Sequence, residues 1–173
     1  MATVTFKGTP YRISDGFPSV GHLAPAFLLT KEDLSDVGLD AWTGKVKILS
    51  IVPSLDTSVC ALSARKFDEA IARLPGTVLL NISMDLPFAQ SRFCHSEHLQ
   101  NIVTLSAFRS PRFGEDYGVR ILEGPLAGLL ARAVLVLSRD NIVTYAQLVP
   151  AIEHEPDYAA ALEAAQATLA GTG

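Results

Sequence analysis

Two of the 173 residues carry thiols, Cys60 and Cys94. An ionised thiol is a strong nucleophile that can open a weak O–O or S–S bond. Three readings are open for such a pair: two inert buried thiols, one structural bridge of an exported protein, or a redox-active couple. The neighbours of Cys60 favour a reactive thiol. It follows the loop Pro53-Ser54-Leu55-Asp56-Thr57-Ser58-Val59. That loop separates an apolar run, Val46 to Val52, from Ala61, Ala64, Phe67, Ala70, Ile71 and Leu74, which recur at helical spacing. The first turn of a helix has unpaired backbone N–H groups and the positive end of the macrodipole, so a thiolate placed there is stabilised. Asp56, Thr57 and Ser58 are residue types that cap a helix, and either Asp56 or Thr57 could be the cap.

Other chemistries find less support. His22, His95, His98 and His154 are scattered. Cys94, His95 and His98 lack the fourth ligand and acidic partner of a metal site, and no acyl-transfer motif accompanies a Cys-His pair. No glycine-rich phosphate loop or dinucleotide fingerprint is present; Gly124, Pro125 and Gly128 read as turn residues. No bound cofactor or metal is therefore expected. Cys60 is followed by Ala61-Leu62-Ser63, so there is no C-x-x-C pair. The net charge of -4 is spread over both signs without a basic block, which argues against a nucleic-acid partner. The apolar run ending at Pro53 and the one between Arg132 and Arg139 are too short to span a membrane. Met1 to Tyr11 lacks the apolar centre of a signal peptide. A cytoplasmic protein is expected, and in that setting a cysteine pair is catalytic or redox-sensing.

These residues need a scaffold. Val4 and Phe6, then Tyr11 and Ile13, alternate around Gly8 and Pro10 and predict an N-terminal β-hairpin. Phe27 to Thr30 predicts a short strand, Val46 to Val52 a strong one, Cys60 to Leu74 a helix ended by Pro75-Gly76, and Val78 to Ile82 a strand buried on both faces. Pro87 opens a short helix with Cys94 at or beyond its far end. Ile102 to Leu105 predicts a strand and Phe113 to Tyr117 a helical turn or two. Ala133 to Leu137 and Ile142 to Val149 form a hairpin around Asp140-Asn141, and Glu155-Pro156-Asp157 opens a last helix that frays over Gly171 to Gly173. The order predicts an α/β fold: a thioredoxin-like mixed sheet flanked by helices, with an N-terminal β-hairpin, in one domain over 1–173.

The segment Pro53 to Cys60 resembles the peroxiredoxin active-site signature, and more closely that of the thiol peroxidase branch, the atypical two-cysteine peroxiredoxins. Pro53, Thr57 and Cys60 match its proline, hydroxyl residue and peroxidatic cysteine. Asp85-Leu86-Pro87-Phe88-Ala89-Gln90-Ser91-Arg92-Phe93-Cys94 resembles the resolving-cysteine segment, and Gly128-Leu129-Leu130-Ala131-Arg132-Ala133 the segment with the active-site arginine. The likeness runs on through Glu155-Pro156-Asp157-Tyr158. Arg65 stands where some other peroxiredoxins place a close resolving cysteine, and no cysteine lies near the C-terminus. The resemblance implies a peroxidase in which Cys60 attacks hydrogen peroxide or an organic hydroperoxide. It implies resolution by Cys94 as an intrachain disulfide, thioredoxin as reductant, and a homodimer. Thr57 and Arg132 would hold the thiolate and peroxide, and Pro53 would shield the sulfur. Phe88 and Phe93 are candidate pocket residues that favour organic hydroperoxides. The competing function is a peroxide sensor that relays oxidation to a partner.

Overall fold

The computed structural model describes residues 2–171. Two strands, β1 (Thr3–Phe6) and β2 (Thr9–Arg12), form the N-terminal antiparallel hairpin. Gly8 turns the chain at a φ of 79°, in the left-handed region where a Cβ would be strained. A seven-stranded mixed sheet follows. It is built from β3 (Leu29–Thr30), β4 (Asp36–Val37), β5 (Val46–Ile51), β6 (Thr77–Ser83), β7 (Ile102–Ser106), β8 (Ala133–Leu137) and β9 (Val143–Leu148), in the order β4-β3-β7-β6-β5-β8-β9. The centre, β5, β6 and β7, is parallel; β8 and β9 run antiparallel to it. The helices are α1 (Ser58–Ile71), α2 (Pro87–Ser96), α3 (Arg112–Asp116) and α4 (Tyr158–Ala170).

The expected elements are present, with shifted edges. Of Phe27 to Thr30 only Leu29 and Thr30 join the sheet, and the two-residue strand β4 beside them carries no periodic signal. The first long helix starts two residues before Cys60 and stops at Ile71. Its buried side chains, Cys60, Ser63, Ala64, Phe67, Asp68 and Ile71, form one continuous stripe. Every residue of β5 and β6 is buried, as parallel strands covered on both faces must be. The turn between β8 and β9 places Asn141 at a φ of 66°, a conformation asparagine tolerates better than most residues. Of the end expected to fray over Gly171 to Gly173, Gly171 still donates to the Ala167 carbonyl at 3.0 Å, and residues 172–173 lie outside the described residues.

Two apolar layers sandwich the sheet. On one face Val46, Ile48, Leu79, Val134 and Val136 pack against Phe67 and Ile71 of α1 and Ala161 and Ala165 of α4. On the other face Leu49, Ile51, Leu80, Ile82 and Leu135 pack with Val4, Ile13, Phe113 and Tyr117. A third, smaller cluster joins the start of α1 to α2: Val52, Leu55, Cys60, Ala64 and Phe93, with Cys94 packed on its edge. Among the described residues, no helix is long and apolar enough to cross a membrane.

Candidate active site

Sheet register brings the first two candidate residues together. Ile51 at the end of β5 pairs with Ala133 at the start of β8. The residue before Ala133, Arg132, therefore stands beside Val52 and the loop that leads into α1. Its side chain is almost wholly buried, at 2 % exposure, and so is Cys60, at 0 %. Arg132 Nη1 donates to Cys60 Sγ at 3.0 Å. The other edge of the guanidinium is fixed, with Nε and Nη2 donating to the Ile152 carbonyl at 3.0 and 2.8 Å. A buried cation without an acceptor would be costly. Here a carbonyl and a sulfur share it.

The loop explains how the sulfur is aimed. Thr57, not Asp56, caps α1: its Oγ1 accepts from the Cys60 N–H at 3.3 Å, and its hydroxyl donates to the Ser54 carbonyl at 3.2 Å. Pro53 is buried beneath the same loop and ends the strand direction of β5. One turn further along α1, Ser63 Oγ lies 2.7 Å from the Tyr158 hydroxyl of α4. Tyr158 also donates to Glu155 at 3.1 Å, packs edge-on against Phe67, and receives the Lys66 ammonium over its ring. Burial pushes the Tyr158 phenol up to about 12, so it stays a neutral anchor. The first turns of α1 are thus held from β8 and α4 together.

Cys94 lies in the last turn of α2, half-buried, and both thiols are free. Burial, reinforced by the carboxylates of Glu32 and Asp68, raises the Cys94 thiol from 9.0 to about 11. In this conformation it is a protonated, unreactive group at neutral pH. The end of α2 is tied down: Asp68 of α1 accepts from the N–H groups of Gln100 and Asn101 at 3.1 and 2.7 Å, and Arg65 pairs with Glu97 at 2.7 Å.

An open cleft of about 510 Å³ lies over the start of α1, lined by Leu55, Thr57, Ala61, Arg92, Phe93 and Glu97, among others. Phe93 is therefore brought to the site. Phe88 is not: it is 68 % exposed at the other end of α2, beside a separate cleft with Leu34, Leu86 and Phe108. The four histidines are exposed, and among the described residues no three His, Cys, Asp or Glu gather where they could hold a metal ion.

Sequence reasoning missed Ser63 and the acidic residue Asp85. Asp85 accepts from Ser54 Oγ and from the Leu55 N–H, each at 2.8 Å. The only signal was its place in the segment leading to Cys94.

A buried thiol touching a guanidinium at a helix start, on a mixed sheet of this order, is an arrangement suited to thiol redox chemistry on a thioredoxin-like fold. Comparison with known proteins narrows the class. The chain matches the family described as Redoxin over residues 19–162. It is 51% identical over 164 residues to a thiol peroxidase of Mycobacterium tuberculosis (strain CDC 1551 / Oshkosh), covering 95% of this chain and 98% of that protein. Among solved structures, a peroxiredoxin-like protein from Aquifex aeolicus superposes with a TM-score of 0.91 at 40% identity, covering 96% of each chain. A thiol peroxidase from Chromobacterium violaceum does so with a TM-score of 0.90 at 25% identity, covering 97% of each. The chain belongs to the Redoxin family, within the thiol peroxidase branch of the peroxiredoxins, and it is a peroxide-reducing enzyme.

Proposed function

We propose that Cys60 is the peroxidatic residue, Cys94 the resolving residue, and thioredoxin the reductant, in one catalytic domain spanning 1–173. The observation that carries this reading is the 3.0 Å contact from Arg132 Nη1 to Cys60 Sγ inside a buried site. The Cys60 thiolate attacks one oxygen of the hydroperoxide and the O–O bond breaks. The sulfur becomes a sulfenic acid, and the departing oxygen takes a proton and leaves as water or an alcohol. The charge that builds on the leaving oxygen needs donors already in place. Arg132 Nη1 has a second N–H besides the one given to sulfur, and the Thr57 hydroxyl can turn from the Ser54 carbonyl to the substrate. Pro53 keeps water from the sulfur. Phe93 and the apolar lining of the cleft favour organic hydroperoxides over hydrogen peroxide.

The Cys94 thiol then condenses with the sulfenic acid, releasing water and forming an intrachain disulfide. A thioredoxin dithiol reduces that bond and is itself oxidised. Cys60 is wholly buried and Cys94 is packed in the last turn of a tied helix, so both helix ends must loosen to reach disulfide geometry. The working unit is a homodimer acting in the cytoplasm. The exposed apolar side chains Leu34, Leu86, Phe88 and Phe108, gathered round one cleft, support a second copy of the chain covering this face. Peptide mapping without reductant, after one equivalent of peroxide, tests the chemistry. The expected product joins the Cys60 and Cys94 peptides; two unmodified thiols would refute the assignment.

A further inference from the structure

We propose that Asp85 is a positioning residue that locks the Cys60 loop in its peroxide-reducing form and so sets how readily the chain opens to form the disulfide. The inference rests on the Cys60–Cys94 reading above. Asp85 follows β6 and stands two residues before α2, the helix that carries Cys94. Its carboxylate is spent on the other cysteine's loop. One oxygen accepts from Ser54 Oγ at 2.8 Å; the other accepts from the Leu55 N–H at 2.8 Å and from Ser83 Oγ at 2.8 Å. Ser54 and Leu55 lie 31 and 30 residues back in the chain, between Pro53 and Thr57.

The contact continues to the sulfur. Ser54 Oγ also accepts from the Asp56 N–H at 3.1 Å, and the Ser54 carbonyl accepts from the Thr57 hydroxyl, whose oxygen caps Cys60. On the other side, Ser83 accepts from the Gln90 amide at 3.1 Å, which also donates to the Leu105 carbonyl at 3.0 Å, and Ser106 Oγ donates to the Asp85 carbonyl at 2.6 Å. Asp85 is therefore the junction between the sheet, the start of α2 and the loop that presents the thiol. Cys60 can leave its pocket only if the loop between Pro53 and Thr57 gives. The Asp85 carboxylate restrains that loop through two donors, Ser54 Oγ and the Leu55 N–H. Hydrogen bonds to a charged group are worth roughly twice neutral ones.

The geometry predicts a split between the two chemical steps. Asp85→Asn keeps the shape but removes the negative charge: its oxygen accepts from the Leu55 N–H and Ser83 Oγ as a neutral group, and its N–H₂ edge is left to donate to Ser54 Oγ. The loop then opens more often. Weakening these charge-assisted bonds to neutral ones by about 1.4 kcal/mol in all raises the open population about tenfold. Disulfide formation passes through the open form and should speed up by that factor. Reduction of peroxide needs the closed loop and should slow several-fold. A second peroxide attacks the sulfenic acid only in the closed form, so D85N should need about ten times more peroxide for half-complete over-oxidation of Cys60.

The test is stopped-flow kinetics of the full chain, with the peroxide step and the disulfide step resolved, together with mass detection of the sulfinic acid. Wild type, D85N and S54A are compared. S54A removes one arm and should shift both steps the same way by less, and adding it to D85N should change little further. If D85N merely loosened the fold, both steps would slow and over-oxidation would not fall. That result, or rates equal to wild type in both variants, overturns the proposal. Should D85N fail to fold, S54A decides alone. A wild-type chain that forms no Cys60–Cys94 disulfide defeats the underlying reading instead, so the two failures are distinct.

Discussion

At the scale of residues, the site depends on one cation reaching one sulfur. Arg132 is held by the Ile152 carbonyl on one edge, and this leaves Nη1 aimed at Cys60. Replacing it with alanine removes the charge and, in the proposed mechanism, a donor to the leaving oxygen. The expected loss is about a hundredfold in the peroxide step, within the range for one preorganised donor. Arg132→Lys should fall between, because an ammonium cannot hold the carbonyl and the sulfur in the same fork. Equal rates for wild type and R132A in a single-turnover assay would remove Arg132 from the mechanism. Cys94 makes the opposite prediction about reactivity. Its thiol is raised to about 11 by burial and by two carboxylates, Glu32 and Asp68. The folded state thus favours the neutral thiol. Its contribution to packing is full below about pH 9 and is lost as pH rises toward 11. In a C60S chain, the rate of Cys94 alkylation should keep climbing past pH 9 instead of levelling there, and it should level near 9 in denaturant. A folded-state midpoint at or below 9 would contradict this account of Cys94.

At the scale of elements, the proposed cycle requires both a wound and a partly unwound state of two helix ends. Local opening is cheapest where few apolar contacts are lost. The first turn of α1 has exposed Thr57 and Ser58 and a half-buried Val59, whereas Phe67 and Ile71 anchor its other end to the sheet. Hydrogen exchange of the disulfide form should show lost protection over residues 54–62 and 91–97, with β5 and β6 unchanged. Uniform protection across α1 and α2 would exclude the unwinding. The sequence made these elements legible because their signals are local. The mainly apolar β5, the helical spacing after Cys60, Pro87 at the start of α2 and Asp140-Asn141 between β8 and β9 each announce themselves within a few residues. The choice of Thr57 over Asp56 as cap was not legible, since both side chains can accept the same bond. Strand β4 was not either: a two-residue edge strand exists only because β3 lies beside it. Asp85 and Ser63 were hidden for a third reason. Their partners, Ser54, Leu55 and Tyr158, are far away in sequence, and only the fold brings them near.

At the scale of the whole molecule, the sheet order does the positioning. Placing β8 antiparallel beside β5 sets Arg132 against the loop after β5, and the parallel β5-α1-β6-α2-β7 path sets the Cys94 helix next to the Cys60 helix. Parallel strands need such crossovers, which is why the two thiols can be far apart in sequence and share one apolar cluster. The same arrangement leaves Phe88 and Phe108 exposed at 68 % and 59 %. Sedimentation at micromolar concentration should show a dimer that F88D shifts toward monomer; a wild-type monomer would rule the assembly out. The central claim, that the two cysteines have separate roles in one cycle, is tested most directly by rapid quench with sulfenic-acid trapping in C60S and C94S. C60S should show no fast peroxide consumption. C94S should consume about one peroxide per site and stall as the Cys60 sulfenic acid, with no sustained turnover on thioredoxin. A peroxide burst retained in C60S and missing in C94S would contradict the nucleophile assignment, and normal thioredoxin-dependent turnover in both variants would contradict the disulfide cycle.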